Sequence, residues 1–307
     1  VLCALTPNVF LLMFFRIMQA VGAGAATAVS TAIVKDVYRG RRRESILALI
    51  QSMVVISPAV APMIGALILN LTSWRGTFWA QAVLGLIVVV LTLVFEETLV
   101  SKATGSPLAS LRRLGVVLGH RTFATLLAIF APVSISGMAF VSSSSYIYQE
   151  DFGRSSQAFS FFFAVFAVGL AIGPLIYIRL SRSRRRTSII TGTLVVIALS
   201  GLLVLLIGGR GPWAFILTIL PSGVAMSCMR PPATYLLLDQ HEADAGSTSA
   251  LMGSTHMVMG SLGMVIVSLQ LGDRVMVLGA LTLAVGLLSL GLWLRVGRRL
   301  VGGTRRT

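Results

Sequence analysis

Acidic residues are scarce in this chain: ten Asp and Glu occur among 307 residues, and none lies clearly inside an apolar stretch. That leaves no pair of carboxylates within those stretches for acid–base chemistry. Cysteine is nearly absent too, with Cys3 and Cys228 far apart in apolar sequence, and there are three histidines, His120, His241 and His256. This inventory gives no disulfide framework and no metal cluster, and both cysteines read as small buried hydrophobes. CxxC, HExxH and GxxxxGK[ST] do not occur, so no redox pair, zinc protease site or ATP-driven engine is visible. Charged residues make up 11% of the chain, against roughly 25% in soluble domains, which excludes an ordinary soluble fold.

Hydrophobic residues fill 56% of the sequence instead. They gather in nine stretches near 8–31, 46–70, 76–95, 122–147, 157–179, 188–208, 213–237, 247–271 and 275–295. A helical crossing needs about 20 apolar residues. The stretches are continuous and lack period-two alternation, so they predict helices and not a barrel. Nineteen of the 25 Lys and Arg lie in the first, third and fifth gaps and in the C-terminal tail. The alternate gaps carry Arg75, Arg154, Arg210 and Arg274. By the positive-inside rule the Arg-rich gaps and the tail are cytoplasmic, although the gap 239–245 (DQHEADA) lacks Lys and Arg. A net charge of +15 spread over short gaps forms no single basic face, so no nucleic-acid partner is expected.

This topology puts the N-terminus outside, just before the first full span. The opening VLCALTP resembles the end of another apolar helix, and no signal peptide is expected before it. The expectation is a truncated chain that lacks upstream spans. The longest basic-side connector, 96–121, holds Gly, Ser, Pro and Lys and suits a linker between helical halves. The expected organisation is the end of a first half over 1–97, a cytoplasmic linker over 98–121, a six-helix half over 122–296 and a basic tail over 297–307.

Polar residues inside spans are the functional candidates. Arg16 lies in FLLMFFRIMQAVGAGAATAVS with Gln19 three residues on, and Ala23, Thr27 and Ser30 continue the stripe. Arg16 either faces a partner or wet cavity, or snorkels to the outer interface. Gly22 and Gly24 would permit close helix packing. In SPAVAPMIGA, Pro58 and Pro62 stand one turn apart with Gly65 following; they make a flexing helix or a static kink. Ser142, Tyr146 and Gln149 recur at i, i+4 and i+7 in FVSSSSYIYQEDFG. They line a hydrated path or bond between helices, and Tyr148 suits an interfacial belt. Arg230, before Pro231 and Pro232, shares a stripe with Gly223, Ser227 and Thr234, and snorkelling is its alternative. His256 relays protons or serves as a neutral hydrogen-bond donor.

Taken in order, these segments resemble the major facilitator superfamily, and within it the Bcr/CflA group of drug–proton antiporters. FFRIMQAVGAG is similar to that family's RxxQGxG helix through Arg16, Gln19 and Gly22, with Ala20 where the pattern has Gly. SPAVAPMIGA is similar to the antiporter motif containing GPxxGG through Pro62 and Gly65, with Ala61 and Ala66 in place of glycines. SWRGTFW, FEETL, the SSSSYIYQEDFG region, RPPATYLLLD and AGSTSALMG extend the likeness over nearly the whole chain.

The resemblance implies an all-α polytopic membrane protein of the major facilitator fold, with nine of twelve transmembrane helices present. It implies a proton-coupled exporter of small amphipathic compounds, not an enzyme, working by alternating access in a bacterial cytoplasmic (inner) membrane as a monomer, with its C-terminus cytoplasmic. Small-molecule substrate, protons and the lipid bilayer are the expected partners, and no cofactor or metal is expected. Arg16, Gln19, Ser142, Tyr146, Arg230 and His256 would form the substrate and proton pathway, with Gly22, Pro58, Pro62 and Gly65 as the conformational motif. The coupling group would be His256, Glu150 or a carboxylate upstream of this chain, whose charged form Arg16 would favour. A metabolite exporter of the same fold and a non-transporting truncated membrane protein or receptor are the alternative readings; a membrane enzyme is the weakest.

Overall fold

The computed structural model describes residues 1–38, 40–95, 114–240, 245–269 and 271–297. Among them the chain is helical with no strand, and it divides into two compact units, Val1–Thr104 and Gly105–Thr307. Each of the nine expected spans falls on helix. Most of the expected linker over 98–121, and nearly all of the basic tail, lie outside the described residues.

The first unit contains α1 (Leu2–Leu5), α2 (Val9–Val37), α3 (Gly40–Leu71) and α4 (Trp74–Val94). Asn8 opens α2 by accepting from the Phe10 N–H at 2.8 Å, which satisfies one of the free donors of the first turn. The expected gap after the first span is largely helix: α2 runs to Val37 and α3 begins at Gly40. Charged residues there end the apolar run, but they do not end a helix whose backbone bonds are internal. In α4 no residue is buried within the protein, and Leu91, Leu93 and Val94 stand exposed. Such a surface suits lipid, and eight stretches of the described chain are long and apolar enough to cross a bilayer. In α3 the described apolar run is the shorter Val60–Leu71.

The second unit contains α5 (Arg121–Phe130), α6 (Val133–Tyr146), α7 (Ser156–Leu180), α8 (Arg186–Ile207), α9 (Pro212–Leu238), α10 (Ala245–Ser268) and α11 (Arg274–Leu292). The fourth span was expected as one helix over 122–147. It is broken at Ala131–Pro132 and leaves α6 through a π turn over Ile147–Asp151. Pro132 has no N–H to continue the ladder. The hydroxyl of Ser134 lies 2.6 Å from the Ala131 carbonyl and 2.9 Å from that of His256, so its single proton serves the break and ties α6 to α10.

Lipid tails are as apolar as Leu, so helices in a membrane associate through close packing and hydrogen bonds, which small residues permit. A Cβ on Gly286 of α11 would lie 2.7 Å from the Ala198 nitrogen of α8. One on Gly173 of α7 would lie 2.7 Å from the Cys228 nitrogen of α9, and one on Gly263 of α10 would lie 2.8 Å from the Ile135 carbonyl carbon of α6. Hydrogen bonds join the same bundle: Ser136 to Thr282 at 2.6 Å, and Trp293 Nε1 to Thr191 Oγ1 at 3.0 Å. Phe140, Tyr148, Phe162, Phe166 and Phe215 form an aromatic core within the second unit.

Candidate functional site

In the first unit, Arg16 lies about two turns into α2, and its guanidinium Nη1 donates to Gln19 Oε1 at 3.0 Å. That geometry follows from their i, i+3 spacing. Gln19 Nε2 then donates to Gln81 Oε1 of α4 at 2.8 Å. Arginine only donates, so each amide oxygen is used as an acceptor and, among the described residues, the line ends on the amide nitrogen of Gln81. The Arg16 guanidinium also stands 5.7 Å from the Phe78 ring centre. Gln19 and Gln81 face a cavity of about 440 Å³ whose walls include Phe15, Met18 and Phe78. Apolar and aromatic walls with a few convergent polar groups are the usual make-up of a small-molecule site.

The conformational residues are placed differently. α3 continues through Pro58 and Pro62 with no break in the helix; the Pro58 side chain is outside the described set, and Pro62 is half-buried. A Cβ on Gly22, Gly24 or Gly65 would meet no described neighbour within 4 Å. Gly22 and Gly24 therefore do not serve a tight helix contact among the described residues of this unit.

In the second unit, Arg230 of α9 and His256 of α10 meet. Arg230 Nη2 lies 3.1 Å from His256 Nε2. Every guanidinium nitrogen is a donor, so His256 Nε2 is the acceptor and the ring is neutral with its proton on Nδ1. Arg230 is exposed and His256 half-buried. The Pro231–Pro232 step follows directly, but α9 continues to Leu238. Arg230 thus has a partner on the neighbouring span, which 26 residues of sequence separation concealed.

Ser142 and Tyr146 share α6, Ser142 half-buried and Tyr146 exposed. Gln149 does not extend their stripe as a free side chain: it lies in the π turn and donates to Ser145 Oγ at 2.7 Å. Tyr148, expected in an interfacial belt, is fully buried and stacks on Phe162 at 4.8 Å between ring centres. The π turn rotates it inward, where its hydroxyl has no partner among the described residues. Tyr146 lies beneath Arg274 of α11, 5.3 Å from guanidinium to ring centre. Arg274 also pairs with Glu150 at 2.8 Å and Asp151 at 2.7 Å.

Gln81 and Arg274 are the residues that sequence reasoning missed. Gln81 is a lone amide in the apolar run WAQAVLG, a signal of the same kind that singled out Gln19. The Arg274 contacts span 123 residues and had no local signal.

Comparison with known proteins agrees with this architecture. Residues 1–264 match the family model described as Major Facilitator Superfamily. The chain is 28% identical over 261 residues to the uncharacterized MFS-type transporter YdgK of Bacillus subtilis (strain 168), covering 81% of this chain and 64% of that protein. It is 36% identical over 99 residues to the multidrug resistance protein MdtL of Escherichia coli O9:H4 (strain HS), covering 32% of this chain and 25% of that protein. The chain therefore spans less than two thirds of either relative. A family match over residues 1–264, on an all-helical chain with apolar spans in series, shows that the chain belongs to the Major Facilitator Superfamily.

Proposed function

We propose that this chain is part of a proton-coupled exporter of small amphipathic compounds, a drug–proton antiporter of the Bcr/CflA kind. The observation that carries this reading is the Arg230–His256 contact inside two apolar spans. A second proton on His256 turns Nε2 from acceptor to donor, ends the bond to Arg230, and sets two cations side by side. Protonation thereby releases a tie between α9 and α10, which is how a proton can bias two arrangements of the bundle. The 440 Å³ cavity supports an amphipathic substrate, since aromatic walls meet the amides of Gln19 and Gln81. In the second unit, Ser142 and Tyr146 on α6 are the residues assigned to substrate. The name of MdtL, a multidrug resistance protein, favours drugs over metabolites. Positive-inside placement puts the Arg-rich gaps and the C-terminus in the cytoplasm of a bacterial cell. The protein works as a monomer with no cofactor.

The test is a panel of amphipathic compounds added to everted vesicles that hold an imposed proton gradient and the full natural protein. The reading expects at least one compound to discharge the gradient and to accumulate in a protonophore-sensitive way. Accumulation that leaves the gradient untouched, and survives the protonophore, would refute proton coupling.

A further inference from the structure

A second cavity, of about 600 Å³, lies in the second unit between α7, α8 and α9. Its shape follows from the packing. α7 and α8 each lie along α9 and hardly touch one another. Gly173 draws α7 onto α9, while a Ser200 hydrogen bond to the Thr218 carbonyl holds α8 to α9. A groove is left with α9 as its floor, at Leu220 and Val224, and Ile176 and Val196 as walls. The one wall hydroxyl deep in the groove, on Thr193, is spent on the Ile190 carbonyl at 2.9 Å, so the interior is apolar. At the end nearest the α7–α8 connector stand Ser188 and Arg184.

That end is strongly basic. Arg179, Arg182, Arg184, Arg185 and Arg186 fall within eight residues, and there is no Asp or Glu anywhere between Asp151 and Asp239. Arg186 is taken up by the Tyr235 ring, 3.7 Å from its centre. Arg184 is exposed and has no ion-pair partner among the described residues. Apolar grooves between spans that end in unpaired arginines fit an acyl chain below and an anionic headgroup above, and anionic lipids concentrate in the cytoplasmic leaflet.

We infer that this groove binds one anionic phospholipid, with an acyl chain along α9 between α7 and α8 and its phosphate on Arg184. The inference is independent of the transport reading, because it concerns a different cavity and is read by lipid retention. Gly192 gives the cleanest perturbation: it lines the groove, and a Cβ there meets nothing within 4 Å. A large side chain enters the groove without displacing backbone.

The experiment is native mass spectrometry of the full protein from micelles containing phosphatidylglycerol or phosphatidylethanolamine. The wild type should retain phosphatidylglycerol preferentially. Arg184→Gln should lower phosphatidylglycerol retention roughly fivefold, the effect of losing one arginine near an anionic headgroup, and leave phosphatidylethanolamine unchanged. Gly192→Phe should lower retention of both. Unchanged phosphatidylglycerol retention in folded Gly192→Phe overturns the site. Should that variant misfold, phosphatidylglycerol with a photoreactive acyl chain decides on the wild type. Adducts within 176–180, 188–196 or 220–228 uphold the groove, and adducts confined to other helices overturn it.

Discussion

Removing the Arg230–His256 contact should cost the second unit a measurable coupling energy. Hydrogen bonds to a charged group contribute about 1.5–3 kcal/mol in soluble proteins. Within membrane proteins, interhelical bonds average about 0.6 kcal/mol with a maximum near 1.7, because the separated helices also find partners. Arg230 is exposed, which pulls the value towards the lower figure, while its charge and the 3.1 Å separation pull it up. A coupling of about 1 kcal/mol follows, or roughly a fivefold change in an equilibrium constant. The assay is a double-mutant cycle with Arg230→Met, His256→Leu and the double variant, each unfolded by SDS in mixed micelles. His256→Gln offers an amide oxygen as acceptor and should keep part of the coupling. Acidification replaces the acceptor with a donor, so the wild-type coupling should fall as pH falls. A coupling within about 0.3 kcal/mol of zero at neutral pH, where additivity of independent sites would put it, refutes the contact as a structural tie.

Four further substitutions test the packing and the surface ion pairs. Gly286→Ala sets a Cβ 2.7 Å from the Ala198 backbone nitrogen, which cannot rotate away; it should destabilise by about 1–3 kcal/mol and lower the Tm, whereas Gly192→Ala should leave it unchanged. Tyr148→Phe removes a buried hydroxyl that has no partner among the described residues; stability should hold or rise by about 1 kcal/mol, and a clear fall in Tm would reveal a bond to that oxygen. Arg274→Gln breaks two ion pairs whose carboxylates are 56% and 34% exposed. Such pairs are solvent-screened, so the loss should be about 1 kcal/mol or less and should shrink in high salt.

Hydropathy carried the fold. Each expected span lies on helix, since an apolar run of that length has no other way to satisfy its backbone in lipid. Boundaries were less legible, because the helical ladder ignores where lipid ends: α2 runs past Ala32 into Lys35 and Asp36. The break at Pro132 was marked by the proline itself, but a membrane helix can bend around proline or stop at it, and neighbours such as Ser134 and His256 decide. The site was partly legible. Arg16 and Gln19 were paired by spacing alone, whereas Gln81, the Arg230–His256 contact and the Arg274 cluster join residues on different spans. Their meeting depends on helix order and rotation, which a single span does not encode. The inward turn of Tyr148 was hidden for a local reason: a π turn shifts the phase that α-helical spacing assumes.

The central claim is that His256 carries a proton through the transport cycle. Substrate-driven proton movement, measured in proteoliposomes of the full natural protein with wild-type His256 or His256→Gln, tests it most directly. The account predicts that the glutamine variant binds substrate but moves no protons in exchange for it, because its amide accepts from Arg230 and cannot be protonated in the working pH range. Proton movement at the wild-type ratio to substrate in His256→Gln would contradict it and place the coupling group elsewhere.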